Sequence, residues 1–304
     1  MSRPFTLLTI HAHPDDETIS TGGVMARYAA EGMRVVCLTS NLGEHGEIVV
    51  PEMDTPENHA RLAEIRGQEL AQALGRLGAV ESRLLGYEDS GMMGTPDNED
   101  PKAFWNANLD EAIGRTVAVV REVRPDVVVG YNDFGGYGHP DHIRAAQVAK
   151  GAFAKAGDPA AYPEQLRDGI EPWAPAKLYE TAGSWFRREE IQRRAVERGI
   201  KGWWTPPEDE TPEQRAEREA FVARMAAASG AITTRIDVSA YLPAKLGAIR
   251  EHVTQIHTDG VFLGLTIDDW RELMPAEEFS LKVARGVDEV RLPEDDLFAG
   301  LAGR

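Results

Sequence analysis

The chain is poor in cysteine, in basic residues and in long apolar runs. Its one cysteine, Cys37, lies inside the apolar run Val35–Leu38 and cannot form an internal disulfide, so we interpret it as a buried thiol. No segment approaches the roughly 18 consecutive apolar residues that a membrane span requires. The amino-terminal stretch reaches charged residues too early for a secretory signal, and we therefore expect a cytoplasmic protein.

Basic residues are outnumbered by acidic ones throughout the chain. Lysine and arginine total 33 against 50 aspartates and glutamates, which gives a formal net charge of −17. Such a surface repels the phosphates of nucleic acids and the anionic lipids of membranes, so neither is expected as a partner. A small-molecule partner fits this charge better, and the sequence carries no signal for an oligomeric state.

Short apolar runs alternate with helical patterns through the first half of the chain. Four runs have the composition of strands: 5–10, 34–40, 83–87 and 126–131. Each is followed by a helical pattern: 21–30, 56–77, 109–123 and 142–156. Four successive strand–helix units predict a Rossmann-like α/β fold, with an open, mainly parallel sheet flanked by helices.

The second half of the chain is less regular. The runs 177–185 and 233–238 have the composition of strands, and 244–255 has a helical pattern. We therefore divide the chain into a Rossmann-like core, residues 1–170, and a smaller C-terminal lobe, residues 171–304, packed as one compact unit.

Two His-Pro-Asp motifs directly follow predicted strands. HAHPDDE comes after the first strand and GGYGHPDH after the fourth. Because ligands bind at the carboxyl ends of the strands in open parallel sheets, both loops should open on the same rim. His13 and Asp16 are three residues apart, so a turn can point both inward. A catalytic zinc-like ion takes three protein ligands and a water molecule, and His139 or His142 can supply the third.

Asp15 lies beside Asp16 and supplies a second carboxylate that need not bind the ion. One acid can neutralise the cation while the other works as a general base. Aspartate and proline also begin helices, so a single motif of this kind can equally be an N-terminal cap. Two such motifs, each at the end of a predicted strand, favour a metal site.

HAHPDDE and GGYGHPDHI resemble the signature motifs of the PIG-L/LmbE-like zinc-dependent de-N-acetylase family. LGEHGE, IRGQELAQAL, DSGMMGT, EVRPDVVVGYND and HVTQ are similar to further family segments. The likeness covers most of the chain and is weakest between about residues 186 and 230. The chain most resembles the mycothiol branch, whose members deacetylate N-acetylglucosaminyl-inositol or cleave the amide of mycothiol S-conjugates.

The resemblance implies a role for nine residues around the two motifs. The implied ligands of one zinc ion per chain, or of iron(II) in its place, are His13, Asp16 and His142. The implied catalytic groups are Asp15 as general base, with a protonated His139 and Tyr137 stabilising the oxyanion. The implied substrate contacts are Glu47, Arg66 and Asp89, in a pocket that the C-terminal lobe completes.

Other residues near these motifs have a structural interpretation beside the functional one. His11 is more typical of a core or supporting histidine than of a fourth ligand, and His45 can simply be solvated. His252, in HVTQ, either reaches the site from the C-terminal lobe or faces solvent from a helix. The glycines of GGYG lack the spacing of a dinucleotide fingerprint, and we interpret them as allowing the Tyr137 loop to move. Trp203 and Trp204, in an insertion at 192–214, either line a sugar site or anchor the insertion.

The sequence thus predicts a hydrolase acting on a linear amide C–N bond. Ser20 and DSGMMGT favour an N-acetylglucosaminyl-inositol deacetylase, whereas GHPDHIRAAQV, AGDPAAYPE and the C-terminal segment favour a mycothiol S-conjugate amidase. A metal-dependent phosphoesterase would need more ligands, because such sites usually hold two ions. A non-catalytic sugar-binding module would not need Asp15 beside Asp16.

Overall fold

The computed structural model of the protein describes residues 3–183, 185–200, 209–287 and 289–301. Trp203 and Trp204 lie outside the described residues, so neither interpretation of this pair is tested. In the described ranges, no helix is long and apolar enough to cross a membrane.

Seven strands pair into one sheet within these ranges. They are β1 (Thr6–His11), β2 (Arg34–Thr39), β3 (Val80–Leu84), β4 (Val127–Gly130), β5 (Lys177–Ala182), β6 (Thr234–Asp237) and β7 (Ala276–Ala284). Their order across the sheet is β3-β2-β1-β4-β5-β7-β6. The first five strands are parallel, and β7 is antiparallel to both of its neighbours. The mainly parallel sheet expected from the sequence is confirmed, and the C-terminal strands extend it.

Helices connect and flank the strands. Those in the described ranges are α1 (Asp16–Ala30), α2 (Pro56–His59), α3 (Leu62–Leu77), α4 (Leu109–Val123), α5 (Gly135–Gly138), α6 (Pro140–Lys155), α7 (Trp185–Glu197), α8 (Pro212–Ala228), α9 (Leu242–Glu251), α10 (Val261–Gly264) and α11 (Ile267–Leu273). Short 3₁₀ turns occupy Pro96–Glu99, Phe104–Asn106, Pro163–Gln165 and Ser239–Tyr241.

The apolar core lies on both faces of the sheet. Leu7 and Val35 pack with residues of α1 and α3 on one face, whereas Leu8 and Val36 pack with residues of α4 and α6 on the other. Successive side chains of a strand point to opposite faces, so β1 and β2 are buried on both sides. This is why each of these strands is an apolar run rather than an alternating pattern.

Several predicted boundaries differ from those of the structure. The strand predicted at 83–87 is β3, three residues earlier, and Leu84 in the apolar run that suggested it is 48% exposed. The helix predicted at 56–77 is two helices, α2 and α3. The strand predicted at 177–185 ends at Ala182, and α7 begins at Trp185. These differences leave the two His-Pro-Asp loops where the sequence placed them.

Candidate active site

The two motif loops meet because their strands are neighbours. β1 pairs in parallel with β4, so the carboxyl ends of both strands lie on the same rim of the sheet. The chain leaves β1 through His13 and enters α1 at Asp16, and it leaves β4 through the GGYGHPDH loop and enters α6 at Pro140. This topology brings together two histidines, His13 and His142, that are 129 residues apart.

Three atoms from these loops form a nearly equilateral triangle. Nδ1 of His13 lies 3.3 Å from Nε2 of His142 and 3.5 Å from Oδ2 of Asp16. The third side, from Oδ2 of Asp16 to Nε2 of His142, is also 3.3 Å. Ligand atoms in a tetrahedral zinc site with bonds of about 2.0–2.1 Å lie about 3.4 Å apart. The triangle therefore fits one face of such a site, and a His/Asp/His metal centre is possible here.

The outward nitrogen of each imidazole has an acceptor. Nδ1 of His142 lies 3.1 Å from the carbonyl oxygen of Gly135, and Nε2 of His13 lies 3.2 Å from Oδ2 of Asp141. We assign a proton to each of these outward nitrogens, so the inward nitrogen is the one that can bind a cation. The acceptors also fix the orientation of both rings.

The electrostatic surroundings of His13 favour a positive charge. Burial alone lowers the pKa of His13, but the nearby carboxylates of Asp141, Asp16 and Asp89 more than offset this effect, and the net pKa is well above the usual value. Burial alone raises the pKa of Asp16. The nearby His142 and His13 outweigh burial and hold the pKa of Asp16 well below its usual range. A proton or a metal ion can supply the positive charge that these carboxylates favour.

Asp141 is a supporting residue that the sequence did not single out. Its carboxylate is fully buried. Oδ2 accepts hydrogen bonds from Nδ2 of Asn41 at 2.8 Å and from the backbone N–H of Ser90 at 3.0 Å, and Oδ1 accepts one from the Ser90 hydroxyl. His13, Asp89 and Asp141 also form a cluster whose possible ligand atoms lie within 4.8 Å of one another. Because both oxygens of Asp141 already face donors, its part is to orient His13.

Asp15 has an unusual backbone at the start of α1. Its φ is +113°, in a region that residues with a side chain rarely adopt. Its backbone N–H donates to Oε2 of Glu17 at 2.8 Å, and its Oδ2 lies 3.7 Å from Nη2 of Arg66. Burial, with a smaller contribution from the neighbouring Asp16, raises the pKa of Asp15 to about 6. A carboxyl in this range can exchange a proton near neutral pH.

His139 is neutral in these surroundings, whereas we expected it to be protonated. Burial, followed by the nearby His13 and His142, lowers the pKa of His139 to about 3. Nδ1 of His139 accepts the backbone N–H of Asp141 at 3.1 Å and caps α6. The proton of the neutral ring is therefore on Nε2, which keeps one N–H for donation. His139 joins His13 and His142 in a cluster within 4.8 Å, but the triangle with Asp16 is tighter.

Tyr137 lies over the same group of rings. Its ring centroid is 4.8 Å from that of His142 and 6.2 Å from that of His139. Burial, together with the carboxylates of Asp16 and Asp15, raises the pKa of Tyr137 well above its usual value. The hydroxyl therefore keeps its proton and can donate a hydrogen bond.

A glycine of the GGYG sequence allows the close approach of His142. Gly135 has φ +63°, and a Cβ built there would lie 2.6 Å from Cβ of His142. The same residue supplies the carbonyl oxygen that accepts Nδ1–H of His142. We expected these glycines to give the loop mobility. In the structure, Gly135 is instead explained by packing, because a side chain there would collide with His142.

Arg66 joins the loop that carries Asp15 to the loop that contains Gly43. It is buried, and it donates to the carbonyl oxygens of Gly43 at 2.9 Å and Pro14 at 2.6 Å. A Cβ at Gly43, which has φ +66°, would lie 1.9 Å from Nη1 of Arg66, so only glycine fits. The guanidinium thus holds the backbone of both loops and lies beside Asp15.

The other two expected substrate contacts lie at different depths. Asp89 is buried, with Oδ1 accepting the N–H of Gly91 at 2.9 Å and Oδ2 that of His45 at 3.1 Å. Oδ1 of Asp89 is also 3.6 Å from Nε2 of His13. Glu47 is exposed farther along the loop that carries His45. Asp89 is thus next to the triangle, whereas Glu47 is at the outer rim.

Of the three other histidines that the sequence analysis considered, His11 and His252 are buried and His45 is exposed. Nε2 of His11 lies 3.0 Å from Oγ1 of Thr21, away from the triangle, as expected of a core histidine. His45 is exposed. His252 is buried, and its Nε2 lies 2.8 Å from Oε1 of Glu17. His252 therefore does not face solvent: it lies against Glu17, two residues from Asp15 in the chain.

Comparison with known proteins agrees with this geometry. Residues 8–153, which include His13, Asp16 and His142, match the family model described as PIG-L, GlcNAc-PI de-N-acetylase. The 1D-myo-inositol 2-acetamido-2-deoxy-alpha-D-glucopyranoside deacetylase of Geodermatophilus obscurus is 43% identical over 304 residues, covering 98% of this chain and 98% of that protein.

Solved structures with the same fold are more distant in sequence. N,N'-diacetylchitobiose deacetylase from Pyrococcus horikoshii has a TM-score of 0.62 and 18% identity, covering 91% of this chain and 84% of that one. The 4-carboxy-2-hydroxymuconate hydratase GalB from Pseudomonas putida KT2440 has a TM-score of 0.60 and 17% identity. The match covers 94% of this chain and 100% of that one. The fold alone therefore does not decide the reaction. The full-length identity confirms what the motifs implied: the chain belongs to the PIG-L de-N-acetylase family.

Proposed function

We propose that the protein is a zinc-dependent hydrolase that removes the acetyl group from N-acetylglucosaminyl-inositol. The observation that carries the proposal is the triangle of His13, Asp16 and His142 with a second carboxylate, Asp15, beside it. The relatives named for this deacetylation, which align along nearly the whole chain, support the substrate.

The ligand set suits zinc. Two imidazole nitrogens and one carboxylate oxygen are ligands that zinc takes in catalytic sites, with a further position open to water or substrate. When bound here, the ion supplies a Lewis acid that polarises a carbonyl group and lowers the pKa of water to about 7. Asp141 and the Gly135 carbonyl hold the two imidazoles in place for this purpose.

Asp15 is the proposed general base. Its carboxylate takes a proton from the attacking water molecule while the water oxygen bonds to the amide carbon. It then gives this proton to the amide nitrogen as the C–N bond breaks, so that acetate and a free amine leave. In support of this role, Asp15 directly precedes Asp16 in the chain, so its carboxylate would lie beside an amide that approaches the metal site.

His139 and Tyr137 are the proposed donors to the amide oxygen. Negative charge develops on this oxygen when water adds to the carbon, and hydrogen-bond donors fixed in advance stabilise it. Neutral His139 donates its Nε2–H, and Tyr137 donates its hydroxyl. Neither role requires the protonated imidazole that we expected from the sequence.

The sugar and inositol are proposed to contact Glu47, Arg66 and Asp89. Arg66 would combine this role with holding the rim loops, and Asp89 would combine it with supporting His13. We further propose that residues 171–304 complete the pocket. In support, Nε2 of Gln255 donates to the carbonyl oxygen of Glu47 at 2.8 Å, and the ring of Phe221 lies 6.5 Å from that of Phe134 beside the GGYG sequence.

The test is a product analysis of the purified protein with two substrates. The protein is stripped with a chelator, reloaded with Zn²⁺ or Fe²⁺, and incubated with N-acetylglucosaminyl-inositol and, separately, with a bimane conjugate of mycothiol. Metal-dependent release of acetate and glucosaminyl-inositol, detected by mass spectrometry, is the expected result. A His142→Ala variant, which lacks one ligand, is the control and should be inactive.

The alternatives are outcomes of the same experiment. Cleavage of the bimane conjugate alone would make the protein an S-conjugate amidase. Hydrolysis of neither substrate in any metal-loaded form would contradict the proposal. The rate with each metal decides between zinc and iron(II).

A further inference from the structure

A turn at residues 252–255, directly after α9, binds several parts of the catalytic rim. The backbone N–H and the hydroxyl of Thr254 donate to the two carboxylate oxygens of Glu69, on α3, at 2.8 and 2.7 Å. The N–H of Val49 donates to the carbonyl oxygen of Thr254 at 2.9 Å. The turn is thus fixed to α3 and to the loop that carries Glu47, although the contacting residues are 185 and 208 residues apart in sequence.

The first residue of this turn contacts Glu17, and Glu17 contacts Asp15. Nε2 of His252 lies 2.8 Å from Oε1 of Glu17, and Oε2 of Glu17 accepts the backbone N–H of Asp15 at 2.8 Å. The side chains of Glu17 and His252 both have 0% exposure. In the part of the chain that the structure describes, Nδ1 of His252 has no hydrogen-bond partner. Among the described residues, the imidazole of His252 therefore makes its hydrogen bond with Glu17.

The backbone of Asp15 needs such support. A non-glycine residue with φ +113° is strained, and strained residues persist only where the surroundings hold them. A carboxylate buried without its partner is costly, so Glu17 would draw in water or rotate if His252 were removed. The N–H of Asp15 would then lose its acceptor, and the Asp15 carboxylate would no longer have a fixed direction.

We propose that His252 is a positioning residue, which acts through Glu17 to fix the carboxylate of Asp15 for proton transfer. The inference rests on the proposed function, in which Asp15 is the general base. His252 itself touches neither the substrate nor the three ligand atoms. Its removal should therefore lower kcat and leave substrate binding and zinc content nearly unchanged.

The experiment measures kcat, KM, zinc content and Tm of the zinc-loaded full chain with N-acetylglucosaminyl-inositol. We expect His252→Leu to lower kcat by about 10²-fold, because small displacements of a catalytic group have effects of this size. KM and zinc content should stay within about two-fold, as for a residue that acts on the chemical step. His252→Gln, which can place an N–H near Oε1 of Glu17, should recover much of the rate.

A neighbouring variant separates positioning from general stability. Thr254→Val lies in the same buried turn and removes a hydrogen bond to Glu69 rather than to Glu17. We expect it to lower Tm and to leave kcat within about two-fold. In an Asp15→Asn background, His252→Leu should cause little further loss, because the two residues act on the same step.

Three results would overturn the inference. They are an unchanged kcat in His252→Leu, an equal fall of kcat in Thr254→Val, and additive losses in the double variant. If His252→Leu does not fold, His252→Gln and His252→Asn replace it, since Asn places its amide at the Nδ1 rather than the Nε2 position. Equal kcat in these two would also contradict the inference. Full activity of Asp15→Asn alone would instead remove the proposed function.

Discussion

Each imidazole of the triangle has an acceptor behind it that orients the ring. The acceptor of His13 is Asp141, and that carboxylate is itself held by Asn41 and Ser90. Supporting acceptors of this kind set ring orientation and raise the basicity of the nitrogen that binds metal. The carboxylate of Asp141 should therefore matter for metal binding although it is not a ligand.

Asp141→Ala is expected to weaken zinc binding by about 10–100-fold, the usual effect of losing a supporting acceptor. Competition with a chromophoric chelator measures the affinity. Ser90→Ala is the matched control, because it removes a donor to Asp141 but leaves the acceptor of His13 in place. Equal zinc affinity of Asp141→Ala and the unaltered protein would show that Asp141 has no part in the metal site.

Asp15→Asn is expected to retain zinc and to lower kcat by about 10²–10⁴-fold, the range that a general base contributes. The substitution preserves the shape of the side chain, so the loss reflects proton transfer. Acetate release and metal content of the same preparation are the measurements. Asp133→Asn, an exposed residue of the other rim loop, is the control. Undiminished turnover by Asp15→Asn would exclude Asp15 as the base.

The motif that follows the first predicted strand indicated His13 and Asp16. The motif after the fourth predicted strand left His139 and His142 as alternatives, and only the family resemblance named His142. The role of Asp141 could not be predicted from the sequence, although Asp141 lies beside His142 in the HPDH motif. Its partners Asn41 and Ser90 come from two other loops, and only the folded chain brings them together. The charge of His139 was also missed, because burial and two neighbouring imidazoles determine its pKa.

The backbone conformation of Gly135, at the start of α5, allows the position of His142. Gly135→Ala should weaken zinc binding and lower Tm, because the new Cβ would strike His142 at 2.6 Å. Gly136→Ala is the matched control: it also has positive φ, but in the described residues nothing lies within 4 Å of the new Cβ. Both changes carry a backbone cost of about 1–3 kcal/mol.

Thermal unfolding and zinc affinity of the two glycine variants separate these effects. Only Gly135→Ala should lose zinc affinity beyond its loss of stability. If both variants bind zinc equally well, the contact between Gly135 and His142 does not position the ligand.

Helices and strands with a local periodic pattern of apolar residues were predicted more accurately than those whose stabilising partners are distant in sequence. α4 has the predicted bounds, 109–123, because its apolar face repeats at helical spacing. β7 was missed, since its glutamates disfavour strand formation. In the structure, Glu277 of β7 accepts the N–H groups of Gly23 and Val24 and pairs with Lys245 at 2.6 Å. These partners are distant in sequence, so no local pattern predicts the pairing.

The C-terminal segment is tied to the sheet by a buried ion pair. Nζ of Lys177, on β5, lies 2.6 Å from Oε1 of Glu294, and both side chains are buried. Glu294→Ala leaves the lysine charge buried without its partner, which should cost about 3–5 kcal/mol of unfolding free energy. Urea denaturation measures the change. Glu122→Ala, which removes one partner of an exposed pair with Arg83, should have a much smaller effect.

If the two variants lose similar stability, Glu294 does not secure the end of the chain. This pair could not be predicted from the sequence, because a lysine and a glutamate 117 residues apart cannot be told from surface charges until the sheet forms.

The same segment closes one side of the sheet. Glu294 makes two backbone hydrogen bonds with the outermost strand, β6, and the residue before it. The N–H of Arg235 donates to the carbonyl oxygen of Glu294 at 2.9 Å, and the N–H of Glu294 donates to the carbonyl oxygen of Thr233 at 2.9 Å. An unpaired strand edge is a template for association with another molecule, and here the chain covers that edge itself. The opposite edge is β3, where Glu81 and Arg83 carry charges that disfavour such pairing. The addition of strands from a second molecule is thereby opposed at the β6 edge by the backbone pairing with Glu294 and at the β3 edge by charge.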